Sequence, residues 1–98
     1  MKKLILILIF STAYYTSFGI IQHEIDSLKQ LTKITKIDTV LIDNYLLIST
    51  KYLQEDNDSS LVYAQKALHL AKKNSNDKRK SVALTRIGLV YFNLGDLP

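Results

Sequence analysis

Two stretches decide the fold, Asn44–Leu53 (NYLLISTKYL) and Ala83–Phe92 (ALTRIGLVYF). Superposed end to end, they pair Asn44 with Ala83, Tyr45 with Leu84, Ile48 with Ile87, Ser49 with Gly88, Tyr52 with Tyr91 and Leu53 with Phe92. Large residues at i, i+3 and i+7 mark one face of a helix, so the same amphipathic helix occurs twice. In both copies a small residue directly follows the Ile. Glycine inside a helix costs about 1 kcal/mol relative to alanine, and close approach of a neighbouring helix at Ser49 and Gly88 would offset that cost. Self-similarity at a period of a few tens of residues is the mark of stacked helical units.

Working outward, Gln22–Ile34 places Ile25, Leu28 and Leu31 or Thr32 at helical spacing and predicts a first short helix. Thr35–Asp38 breaks the pattern, with Asp38 or Thr39 as N-cap of a helix over Val40–Leu53 whose face is Leu41, Tyr45, Ile48 and Tyr52. Beyond the polar turn at Gln54–Asp58, capped by Asp58 or Ser59, a third helix carries two apolar stripes. One is Leu61, Ala64, Leu68 and Ala71, and the other is Tyr63, Ala67 and Leu70. A helix apolar on two sides needs partners on both; Lys72 and Lys73 suit its C-terminal dipole. Asn74–Lys80 (NSNDKRK) is expected to be a polar connection, and a last helix over Ser81–Leu94 turns Ala83, Leu84, Ile87, Val90, Tyr91 and Leu94 inward before Gly95-Asp96 stops it. With no strand pattern and no proline before Pro98, the class is all-α.

This pattern resembles the tetratricopeptide repeat (TPR), a helical hairpin whose units stack into an α-solenoid. The matching residues are Tyr45, Ile48-Ser49, Tyr52, Ser60, Ala64, Ala67 and Leu68 in one complete unit, and Leu84, Ile87-Gly88, Tyr91 and Gly95-Asp96 in a second. The spacing between units is longer than is usual for this repeat, and the turn after Tyr52 lacks the Gly-Asp pair. The resemblance implies a complete hairpin over 39–73 and a half repeat over 81–98, ending where a further covering helix should follow. It implies a non-catalytic protein-interaction module whose concave wall is formed by Asp43, Leu46, Thr50 and Gln54 in one unit and Val82, Thr85, Leu89 and Asn93 in the next. Repeats that clamp carboxylate termini carry Lys and Asn one turn apart on this wall; Leu46 with Thr50, and Thr85 with Leu89, do not provide that pair.

The N-terminal stretch Met1–Gly19, MKKLILILIFSTAYYTSFG, has the build of a secretory signal peptide. Lys2 and Lys3 precede an apolar run over Leu4–Phe10, and Ser17 and Gly19 stand at the −3 and −1 positions of a cleavage site. The run is short against the roughly 20 apolar residues of a membrane span. Residues 20–38 then form a helix and linker ahead of the repeats. The resemblance extends to exported arrays that stand ahead of a membrane helix and a histidine-kinase or DNA-binding output. The expected role is therefore the periplasmic sensory part of a longer signal-transduction protein, attached to the membrane through a downstream region. The alternative is a secreted helical adaptor that self-associates.

The 98-residue chain has no cysteine, which excludes disulfides and thiol lipidation, and its net charge of +4 owes half its excess to Lys2 and Lys3. Nucleic-acid binding is not expected: Lys72, Lys73 and Lys78-Arg79-Lys80 lack interleaved aromatics or a recognition helix. His23 and His69 lie on different helices with no nucleophile pattern between them. His23-Glu24-x-Asp26 lacks metal-site spacing, and Glu55–Ser60 lacks the Gly and Glu of a calcium loop, with Leu61 and Ala67 in their places. Neither a catalytic centre, a metal site nor a cofactor is expected.

Overall fold

The computed structural model describes residues 19–53 and 55–95. The expected signal-peptide core, Gln54 of the expected wall and Asp96–Pro98 lie outside the described residues. Among the described residues there is no strand, and four helices follow one another: α1 over residues 19–34, α2 Asp38–Tyr52, α3 Asn57–Lys73 and α4 Asp77–Leu94.

The α2–α3 hairpin is built on small residues. Ser60, Ala64, Ala67 and Ala71 stand at i, i+4, i+7 and i+11 of α3, and all four are fully buried. With no bulk on that stripe, neighbouring backbones approach closely. At the crossing point Ser49 and Ser60 exchange hydrogen bonds: the Ser49 hydroxyl donates to the Ser60 carbonyl (2.8 Å) and the Ser60 hydroxyl to the Ser49 carbonyl (2.7 Å). Both polar groups are thereby satisfied inside an apolar contact, at a net gain of about 1 kcal/mol for each bond. Ile42 and Leu46 of α2 close over Ala67 and Ala71, and Ala83 of α4 completes the cluster. Ile25 of α1 and Ile48 of α2 are also buried.

Helix boundaries differ from expectation where local hydrogen bonding overrides composition. The helix α2 starts after Ile37, which makes no side-chain cap, and Asp38 serves as the first-turn acid instead of the N-cap. Asp56, not Asp58 or Ser59, caps α3, accepting from the Ser59 amide at 3.1 Å and the Ser59 hydroxyl at 2.7 Å. The largest difference is α4, which begins at Asp77 and takes in most of the polar stretch expected to be a connection. Asn76 accepts from the Arg79 amide at 3.1 Å, and this cap starts a helix from a polar first turn that exposes Asp77 and Lys78. The connection shrinks to Asn74–Asn76. Ser75 takes a positive φ of 54°, and the amides of Ser75 and Asn76 donate to the Lys72 and Ala71 carbonyls, closing α3 in the Schellman manner. At the far end Gly95, at φ 71°, turns the chain out of α4.

The inward face of α4 is narrower than expected. Ala83 and Val90 are fully buried, but Leu84 is 48% exposed and Leu94 46%. Gly88 is exposed, and a Cβ placed on it would meet nothing within 4 Å, so the close helix contact expected there is not made among the described residues.

Ala64→Leu should destabilise the full chain by about 1–3 kcal/mol through overpacking, and Ser49→Ala by about 1 kcal/mol. At roughly 4–8 °C per kcal/mol for a domain of this size, thermal melts followed by circular dichroism will order the two. An Ala64→Leu melt equal to that of the unaltered chain would contradict the close α3 packing.

Candidate functional site

Because α2 and α4 both pack on α3, they run side by side in the same direction. Their register is read from two contacts. Asn74, just ahead of α4, donates to Asp38 at 3.0 Å, and Arg79 donates to both carboxylate oxygens of Asp43 at 2.8 and 2.9 Å. Both contacts have the same separation along the chain, and at that offset Arg86 corresponds to Thr50.

On the two helices, exposed positions include Asp43, Leu47 and Thr50 of α2 and Val82, Leu89 and Asn93 of α4. Thr85 is exposed towards the outer edge of α4. Leu46, expected on this wall, is only 8% exposed and belongs to the core cluster with Ile42 and Ala67. The reason is angular. Successive helical residues turn by about 100°, which leaves Leu46 on the core side of Asp43 and Thr50 and gives the open position to Leu47. Periodicity alone did not distinguish these two adjacent leucines.

The electrostatics of these two helices centre on two arginines. The hydrogen bonds from Arg79 hold the Asp43 carboxyl below the usual carboxylate range, and Asp43 in turn raises the Arg79 guanidinium. Arg86 is different: its Nε is buried and has no hydrogen-bond partner among the described residues. Thr50, at the corresponding position of α2, already donates its hydroxyl to the Leu46 carbonyl at 2.9 Å. An unpartnered buried donor carries a desolvation cost.

The repeat-packing residues come together in part. Tyr45 and Tyr52 flank Tyr63, with ring centroids 6.1 Å apart in each case; Ile48, Ser49 and Ser60 form the crossing; Ala64 and Ala67 face the helices on either side. On α4, Ile87 and Tyr91 are half-buried while Leu84 and Gly88 face outward.

Other polar clusters are occupied structurally. Glu24 pairs with Lys51, and Asp26 accepts from Gln22 at 3.0 Å, so neither carboxylate beside His23 is free of a partner. Among the described residues no three His, Cys, Asp or Glu side chains converge as a metal set, and no helix is long and apolar enough to cross a membrane. No family model matches the chain, and no curated protein and no solved structure matches it either.

A depressed carboxylate pKa stabilises the fold above the unfolded-state carboxylate range, and that contribution is lost as pH falls through the lowered folded value. Asp43→Asn should therefore lower the melting temperature slightly at neutral pH, since the pair is half-exposed and screened by salt. The difference should vanish in acid below the ordinary Asp range. A difference that grows on acidification would contradict the Asp43–Arg79 pairing.

Proposed function

We propose that this chain is a non-catalytic protein-interaction module of TPR-like helical hairpins, exported by its N-terminal segment, and that the groove between α2 and α4 receives an extended peptide. The observation that carries the reading is the exposure of Leu47 on α2 and of Val82 and Leu89 on α4, together with a half-buried Arg86 whose Nε has no hydrogen-bond partner among the described residues. Apolar walls contribute affinity by losing water, and a single cation between them selects an acidic residue on the ligand. The resemblance to exported sensor arrays points to such a module at the input of a signal-transduction protein, where ligand capture outside the cytoplasm would be its task.

The test is a peptide-display selection against the full chain, followed by titration of the selected peptides. The expected ligands carry an acidic residue flanked by apolar ones. They should lose about tenfold in affinity, equivalent to about 1.4 kcal/mol, on Arg86→Gln or Leu47→Asp, and be indifferent to His23→Ala. Selected peptides that bind all of these variants equally would overturn the groove assignment.

A second reading is favoured by a separate observation. Phe92 is 65% exposed on the outer side of α4, close to exposed Leu84 and to Gly88 with its open surroundings. This face is suited to self-association, as in the adaptor alternative. In an isolated monomer Gly88→Ala should gain stability, by up to about 1 kcal/mol of helix propensity. If copies associate through this face, the added methyl will instead weaken them, and sedimentation at several concentrations will show a concentration-dependent mass that falls in the variant. A concentration-independent monomer with a higher melting temperature in Gly88→Ala removes the self-association reading.

A further inference from the structure

The helix α2 presents Asp43 and Thr50 to the groove, but it turns Tyr45 and Tyr52 the other way, towards α1 and the flank of α3. Two cavities lie there. One, of about 570 Å³, is lined by Lys29 and Lys33 of α1, Tyr45 of α2, and Tyr63 and Lys66 of α3, with Asp26 at its edge. The other, of about 490 Å³, is walled by Leu41, Val62 and Leu70. Tyr45 and Lys66 line both, so the two adjoin as a trough, cationic on one side and on the other largely apolar, with Gln65 and His69 also on that side.

The cationic end holds three lysines against one carboxylate, and that carboxylate, Asp26, already accepts a hydrogen bond from Gln22. Aromatic rings contact two of these lysines, and Lys29 also interacts with the Asp26 and Asp56 carboxylates. The Lys29 ammonium donates to the Tyr52 hydroxyl at 2.7 Å and lies 5.1 Å from the Tyr52 ring centroid and 5.8 Å from that of Tyr63. The Lys66 ammonium lies 4.9 Å from the Tyr63 centroid and 5.8 Å from that of Tyr45. Cation–π contacts orient an ammonium while leaving its charge available. The hydrogen bond to Tyr52 is the main cause that raises the Lys29 pKa, so the group remains charged at neutral pH.

We propose that this trough binds a carboxylate carried beside a large apolar side chain on a short acidic peptide segment, the carboxylate between Lys29 and Lys66 and the apolar group against Leu41, Val62 and Leu70. Gln30 and Gln65, on the walls of the two cavities, supply amide donors and acceptors for a peptide backbone, groups that a simple fatty carboxylate would leave unused. The site lies on a different face from the α2–α4 groove, and its occupation does not depend on that groove's ligand.

The experiment is a titration of the isotope-labelled full chain, followed by amide chemical shifts, with three probes. These are acetyl-Asp-Asp-Leu-Phe-amide, its neutral analogue acetyl-Asn-Asn-Leu-Phe-amide, and sodium decanoate. The acidic peptide should shift the amides of Lys29, Tyr45, Tyr63 and Lys66 saturably, and bind about tenfold more tightly than the neutral one, as expected for one charge-assisted contact. That affinity should fall with added salt. Lys66→Gln, at an exposed position whose loss leaves the core intact, should remove most of the preference, while Arg86→Gln should leave it in place. Equal binding of the neutral peptide, shifts confined to Leu47, Val82 and Leu89, or tighter occupation of the trough by decanoate would each overturn the proposal.

Discussion

Everything in this chain depends on the small-residue stripe of α3. Ser60, Ala64, Ala67 and Ala71 leave no side-chain bulk between α3 and its neighbours. Bulky residues there would hold the helices apart and leave the reciprocal hydrogen bonds of Ser49 and Ser60 unmade. Both α2 and α4 pack on this one helix and also touch one another, so the seam between them exists because α3 can be approached closely.

Charge is distributed to match that geometry. Across the α2–α4 seam, Asp43 and Arg79 neutralise one another and fix the register. Lys51 and Glu24 do the same between α2 and α1. Three further cations are held in place by the fold. Arg86 is half-buried on α4, and Lys29 and Lys66 lie against the tyrosine triad. A cation held by aromatic rings or buried in a helix seam is already ordered, so less entropy is lost when an anion arrives than for a free surface lysine.

The all-α class and the succession of helices were legible because packing residues repeat in size: Ile48 and Ile87, Ser49 and Gly88, Tyr52 and Tyr91 occupy equivalent positions. The start of α4 was not, because composition marks Asn74–Lys80 as a loop, while the structure uses Asn76 as a cap and makes Asp77–Lys80 a first turn that exposes Asp77 and Lys78 and pairs Arg79 with Asp43. Nor was the choice between Leu46 and Leu47 at the wall, since both are apolar and only the packing angle of α2 separates them. The tyrosine and lysine trough left no trace in the pattern either. Lys29, Tyr45, Tyr63 and Lys66 come from three helices with no fixed spacing, and a linear motif cannot express that convergence.

The sequence repeat and the contacts across the α2–α4 seam follow different offsets, and the mismatch locates where recognition can vary. The repeat equates Asp43 with Val82, yet the residue that touches Asp43 is Arg79. The second unit is therefore displaced along its helix axis by a little less than one turn, about 4.5 Å at the rise of an α-helix. That displacement separates equivalent packing positions from facing ones. Packing positions keep similar sizes between the units, as Ile48 and Ile87 show. Wall positions meet solvent or ligand, and they differ between the units: Asp43 becomes Val82, Leu47 becomes Arg86, Thr50 becomes Leu89. The constraint that fixes the fold thus leaves the groove chemistry free to vary, so the ligand preference must be argued from Leu47, Val82, Arg86 and Leu89, not from the repeat.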